Sequence, residues 1–406
     1  MKNAPEKVVY AIATMDTKAE ENIFVADCLR NAGIEVQTVD VGTDTPPITA
    51  PDVTRETVLG EHTLPENAGR SEAISEMSRS LVDFLTKQNE NEAIAGVIGI
   101  GGSGGTALIT AAMRALPVGL PKLMVSTVAS GNTAAYVDCT DITMMHSVVD
   151  VAGLNGVSRA VLSNAAHAMA GMVRNRLPTE YRTKSLGMTM FGVTTPCVTA
   201  VRESLERKGF ECFVFHATGV GGRAMEGLVR SGLIQGVLDI TTTEVADEVV
   251  GGLFPAGPGR FDATVNMQIP LVLSVGAVDM VNFGGIETVP SKFRDRNLHV
   301  HNDQITLMRT TVDENVAIAK WIAKKLNRSS APLRVVLPEG GVSMLDAPDA
   351  AFYDPDADSA LFETLESEIN VSKDRHVIRS PHHINAPEFS QLLIEQFATI
   401  DGHVDL

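Results

Sequence analysis

The chain has 406 residues, a formal charge of −17, 44% apolar side chains and 20% charged ones. That length exceeds one ordinary core and predicts two domains, and the apolar balance excludes a long disordered chain. So acidic a protein is poorly suited to nucleic acid, because that binding rests on cations facing phosphates.

Four scattered cysteines, Cys28, Cys139, Cys197 and Cys212, form no C-x-x-C pair. They argue against a zinc ribbon or disulfide framework and predict a reducing, cytoplasmic setting. The residues from Met1 to Glu6 carry no apolar signal region. No uninterrupted apolar stretch reaches the roughly 18 residues of a membrane span, so no membrane partner is expected.

In chain order, Val8 to Ala13 is a short apolar run read as a buried strand, and Thr14-Met15-Asp16-Thr17 is a polar turn. Phe24, Val25, Cys28, Leu29 and Ala32 then recur at helical spacing until Gly33 stops the helix, and Ile34 to Val41 resumes as strand. Such a β-α-β unit is the signature of a parallel sheet. Residues 42–70 are polar and rich in Pro, Thr and Asp, a long excursion with short local structure. A helix is predicted over 71–88, a buried strand at Ile94 to Ile100, then a glycine loop and a helix through Leu108, Ile109, Ala112 and Met113. Pro117 and Pro121 break that helix, Lys122 to Ser126 is a strand, and residues 151–175 form a long helix rich in Ala and Met.

Pro178 to Thr183 reads as a linker, dividing the chain into domains at 1–180 and 184–406. The pattern then restarts. Leu186 to Phe191 is a strand, residues 192–196 a turn, Val198, Val201 and Leu205 a helical stripe ended by Gly209, and Phe210 to Phe215 a strand. Gly33 matches Gly209, the run from Ile94 matches that from Ile234, and Pro121 to Ser126 matches Pro270 to Ser274. These ordered matches predict an internal repeat: an α/β protein of two Rossmann-like domains with mainly parallel sheets.

Open parallel sheets bind ligands outside the carboxyl ends of their strands, so those loops carry the candidates. The strongest is Gly101-Gly102-Ser103-Gly104-Gly105-Thr106, between a predicted strand and a predicted helix. Bare glycine amides and the positive end of the following helix suit an anion, and Ser103 and Thr106 add hydroxyl donors. The string contains G-x-G-x-x-G, but Pro121 and Lys122 stand where a dinucleotide site places its acidic residue. No G-K-[ST] follows, which excludes a Walker A loop. The plainer reading is a packing turn that needs small residues. Ser130, Gly131, Asn132 and Thr133 follow the next strand and either face the same pocket or cap a helix. Asp16 either holds a hydroxyl or metal, or caps its helix.

In the second half, Gly221, Gly222 and Arg223 form another glycine-rich turn, with Arg223 able to grip a carboxylate or phosphate. Thr242, Thr243 and Glu244 occupy the place of the first glycine loop and serve either a ligand or a helix start. His299 and His301 would share one face of a strand and so suggest a metal, though surface or core roles are commoner for such histidines. Glu339 opens a further glycine turn. No Ser-His-Asp order, H-E-x-x-H or EF-hand loop assigns a catalytic group.

At Gly101 to Thr106, Ser130 to Thr133, Gly219 to Arg223 and Thr241 to Glu244, the chain resembles the family of the N-terminal ATP-binding domain of the tomato mosaic virus resistance protein and its bacterial relatives. The resemblance runs over nearly the whole chain. It implies two Rossmann-like subdomains, ATP binding with Mg2+, and a homodimer or higher homo-oligomer. The expectation is a nucleotide-binding protein holding phosphates at Gly101 to Thr106. The alternative is a metabolic enzyme acting on a small phosphorylated or carboxylated compound in an interdomain cleft. Arg223, Glu244, His301 and Glu339 would then position the substrate or move protons.

Overall fold

The structure is a computed structural model that describes residues 7–64, 69–177 and 183–401. The chain divides into two units, Met1–Thr179 and Glu180–Leu406. Of the expected linker, Pro178 to Arg182 lie outside the described residues.

The first unit runs β1 (Val8–Ala13), α1 (Met15–Asn31), β2 (Val36–Asp40), α2 (Arg55–Leu59), α3 (Arg70–Glu90), β3 (Ile94–Gly101), α4 (Ser103–Ala115), β4 (Lys122–Ser126), α5 (Ala134–Val137), β5 (Thr143–His146) and α6 (Gly156–Arg174). Its sheet has the order β2-β1-β3-β4-β5, and every neighbouring pair is parallel. Successive side chains of a strand point to opposite faces. Val9, Ala11 and Ala13 of β1 therefore join one buried cluster with α1 and α6, while Tyr10 and Ile12 join another with α3 and α4. Both faces are covered, as a parallel sheet requires.

The second unit repeats the plan with β6 (Ser185–Met190), α7 (Thr195–Arg207), β7 (Glu211–His216), α8 (Val220–Arg230), β8 (Gly236–Thr241), α9 (Thr243–Val250), α10 (Asp262–Asn266) and β9 (Leu271–Gly276). An antiparallel excursion follows, β10 (Met280–Phe283), β11 (Leu298–Asn302) and β12 (Ile305–Arg309), in the order β10-β12-β11. The main plan resumes with α11 (Val312–Leu326), β13 (Leu333–Pro338), α12 (Pro355–Glu368), β14 (Arg375–Ser380) and α13 (Pro387–Asp401).

The second main sheet reads β7-β6-β8-β9-β13-β14, also parallel throughout. Its first five strands have the winding order of the first unit's sheet, and the sequence matches align β3 with β8 and β4 with β9. The expected repeat is therefore present in the topology. Gly33 and Gly209 close equivalent first helices, each at positive φ (67° and 89°). Boundaries differ by a few residues from the sequence reading. The second strand is shorter, and the long helix read at 151–175 begins at Gly156, where Asn155 and Ser158 form a reciprocal cap.

Candidate functional site

In a sheet of this order the winding direction reverses between the first and third strands, and the loops at their carboxyl ends part to leave a crevice. In the first unit those loops follow β1 and β3. A cleft of about 500 Å³ opens there, lined on one side by Gly102, Ser103, Gly104 and Gly105. Asp16, Lys18, Asp44 and Arg70 line the same cleft, with Ala73, Ile74 and Leu108 as its apolar wall.

Helix α4 begins directly at Ser103, with Gly102 as its cap residue and no side chain capping it. The Thr106 amide donates to the Gly102 carbonyl at 2.8 Å. The amides of Ser103, Gly104 and Gly105 find no acceptor among the described residues. Three donors thus point out of the positive end of a 13-residue helix. Arg70, the first residue of α3, forms no ion pair with a described residue. Lys18 sits at a kink in α1 (φ −132°, ψ 29°) and spends one hydrogen bond, 2.8 Å long, on the Val151 carbonyl. Neither side chain has a carboxylate ion-pair partner among the described residues. Asp16 faces them: its Oδ2 accepts the Asp44 amide at 3.2 Å and its Oδ1 the Thr17 hydroxyl at 3.4 Å.

The structure divides the six residues of the glycine loop. Gly101 is the last residue of β3, buried against the first turn of α4. Thr106 is buried too, its hydroxyl 2.6 Å from that of Ser126. These two build the turn, and only Gly102 to Gly105 reach the cleft. Ser130, Gly131, Asn132 and Thr133 do not line it, and Asn132 instead accepts the Ala134 amide at the start of α5. Asp16 does line it. The sequence reading missed Lys18, Asp44 and Arg70. Asp44 was within reach of the same rule, because it follows the carboxyl end of β2. Arg70 comes from a polar excursion with no distinguishing signal.

The equivalent position in the second unit is filled. Arg260 is buried, with Nη2 2.7 Å from Asp239, Nη1 3.3 Å from Glu226 and Nε 2.5 Å from Glu244. Burial raises the Asp239 and Glu226 carboxyls above their ordinary range, against the pull of Arg260. Burial alone would depress the Arg260 guanidinium, but the carboxylates of Asp239, Glu244 and Glu226 outweigh it and hold the group charged.

The ligand roles expected of Thr242, Thr243, Glu244, Gly221 and Gly222 are corrected by their packing. Glu244 is committed to Arg260 and to the Gly219 amide, 2.6 Å away. Thr242 and Thr243 are buried, with hydroxyls turned to the Ser274 and Met280 carbonyls. A side chain on Gly221 would run into the His216 carbonyl, and one on Gly222 into the Glu244 carboxylate, so both glycines serve close packing. Arg223 lies in the first turn of α8, half-buried. His301 is exposed on β11, and a bulge between Val300 and Asn302 breaks the alternation that would have aligned it with His299. Among the described residues, no group of three His, Cys, Asp or Glu side chains could hold a metal. Glu339 pairs at the surface with Arg379, 3.0 Å away.

Fold and site together define a duplicated, doubly wound α/β protein with a cleft at the reversal point of its N-terminal sheet. The chain belongs to the UPF0261 family: residues 7–178 match that family's N-terminal domain and residues 183–400 its C-terminal domain, both described as belonging to an uncharacterised protein family. It is 50% identical to a UPF0261 protein of Rhizobium meliloti, over 97% of this chain and 99% of that one. It is 48% identical to the ToMV resistance protein Tm-1(GCR237) of Solanum lycopersicum, over 98% of this chain but only 56% of the tomato protein. A UPF0261 protein of Clostridium tetani is 46% identical over 95% of this chain and 96% of its own.

Proposed function

We propose that the N-terminal unit binds a nucleotide, ATP with Mg2+, with its phosphates at Ser103, Gly104 and Gly105. The observation that carries this reading is the set of three amides at the start of α4 with no acceptor among the described residues, opening into a cleft that also presents Arg70 and Lys18. Amides at a helix N-terminus and two cations favour a polyanion over a neutral ligand. The cleft's size suits a nucleotide-sized ligand, and Ala73, Ile74 and Leu108 offer apolar contact for a base.

Asp16 and Asp44 fit the ion. Magnesium takes hard oxygen ligands and is commonly held by one or two carboxylates together with the phosphates of its substrate. The ion would therefore arrive with the nucleotide, and its role would be to neutralise phosphate charge beside the two carboxylates. We infer a cytoplasmic setting from the four cysteines, which form no disulfide. The family resemblance further implies a homodimer or higher homo-oligomer, which sedimentation measures. No helix among the described residues is long and apolar enough to cross a membrane.

Isothermal calorimetry of the full chain with ATP and MgCl2 tests the proposal. A saturable heat with one site per chain is expected. The absence of both a binding heat and a shift in melting temperature would refute it. A thermal-shift preference for a sugar phosphate or organic acid over every nucleotide would favour a metabolic enzyme instead.

A further inference from the structure

One cation close to the cleft does not line it. Arg55 opens the short helix α2, and its guanidinium lies behind the turn that carries Asp44. Its Nε donates to Asp40 Oδ2 at 3.0 Å, its Nη1 to the Asp44 carbonyl at 3.2 Å and its Nη2 to the Thr45 carbonyl at 2.6 Å. Asp40, the last residue of β2, is 1% exposed. Its other oxygen accepts the amides of Met15 at 3.0 Å and Gly42 at 2.8 Å. One carboxylate thus ties the start of α1 to the turn after β2, and Arg55 closes the turn from outside.

The consequence reaches the cleft through Asp16. The Asp44 amide, held in place by this turn, donates to Asp16 Oδ2. Gly42 leaves room for the contact: a Cβ there would lie 2.8 Å from Asp16 Cγ and 3.0 Å from Arg55 Nη2. Arg55, Asp40, Gly42, Asp44 and Asp16 form one continuous hydrogen-bonded and packed chain that ends at the cleft.

We propose that Arg55 is a positioning residue for the cleft, clamping the turn at residues 42–45 so that Asp16 and Asp44 present a fixed acidic wall to the cation or hydroxyl groups of the ligand. This inference rests on the nucleotide reading for its ligand but not for its structural half. An arginine is needed because its planar fork reaches one carboxylate and two carbonyls together, whereas a lysine ammonium can keep the charge opposite Asp40 but cannot span all three.

Arg55→Lys and Arg55→Met are compared with the wild-type chain by amide hydrogen exchange at Gly42 and Asp44 and by calorimetric titration with ATP·Mg2+. In Arg55→Lys, which retains the buried charge, both amides are expected to exchange faster and the affinity to fall about tenfold, with the melting temperature little changed. Combined with Asp16→Asn, the loss in affinity is expected to be less than the sum of the two single losses, because both act through one carboxylate. Wild-type exchange at Gly42 and Asp44 in Arg55→Lys overturns the proposal, as does faster exchange with unchanged affinity or strict additivity with Asp16→Asn. A wild-type chain that binds no nucleotide defeats the functional reading, while the exchange data still decide whether Arg55 holds the turn.

Discussion

Gly101 and Gly104 belong to one loop and meet different surroundings. A Cβ on Gly101 would lie 2.9 Å from the Gly105 carbonyl carbon and 2.9 Å from the Thr106 nitrogen, both backbone atoms with nowhere to move. Gly101→Ala is therefore expected to destabilise the first unit by about 1–3 kcal/mol through overpacking, read as a lower melting temperature. A Cβ on Gly104 would meet only the tip of Ile74, 3.3 Å away, which can give. Gly104→Val is expected to keep the wild-type melting temperature while abolishing ATP binding, since its side chain grows into the cleft beside the free amides. Retained affinity would make the loop structural. The sequence marked this loop because bare backbone before a helix is rare outside turns and anion sites. It could not separate the glycine that builds the turn from those that face the ligand. Arg70 was invisible for another reason: an exposed arginine in a polar stretch looks the same whether it faces solvent or a cleft.

At the level of elements, the two units share a winding order and differ in what their reversal points hold. The amides at the start of α4 meet no acceptor among the described residues, whereas the first turn of α9 sends Glu244 inward to Arg260. A buried cation among three carboxylates cannot be removed without leaving charges uncompensated. Arg260→Met is expected to cost about 3–5 kcal/mol. Scanning calorimetry should show this as a large downward shift of a melting transition, and a variant melting like the wild type would contradict the account of this cluster.

The strands that could be read were those with continuous apolar runs, such as β1 and β4, which are buried on both faces. The four residues of β5, Thr143 to His146, alternate no clear pattern at a sheet edge and were missed, as was the antiparallel sheet of β10, β11 and β12. Thr241 to Glu244 stands at the end of β8 as the glycine loop stands at the end of β3, and the sequence alone shows that equivalence. Its burial was not legible, because hydroxyl and glycine strings look alike whether they face a ligand or their own core, and its partner Arg260 stands isolated in sequence.

Across the whole molecule, the ionisable groups out of their usual range are concentrated in the second unit. Burial pushes Asp247 and Asp279 up to about 7 and raises Asp358 as well. In the unfolded chain these carboxyls release their protons near pH 4. Between about pH 4 and pH 7 the folded state therefore holds protons that the unfolded state has lost. Stability must fall as pH rises through that window, by about 1.4 kcal/mol per pH unit for each such proton. The melting temperature should be higher at pH 5.5 than at pH 7.5, and the opposite slope would contradict the burial assigned to these groups.

The proposed function requires the amides at the start of α4 to receive an anion. Backbone amide resonances of the full chain, followed during titration with ATP·Mg2+, test it most directly. Ser103, Gly104 and Gly105 are expected to shift most and to saturate together. Shifts confined to other residues, or none at saturating nucleotide, would contradict it.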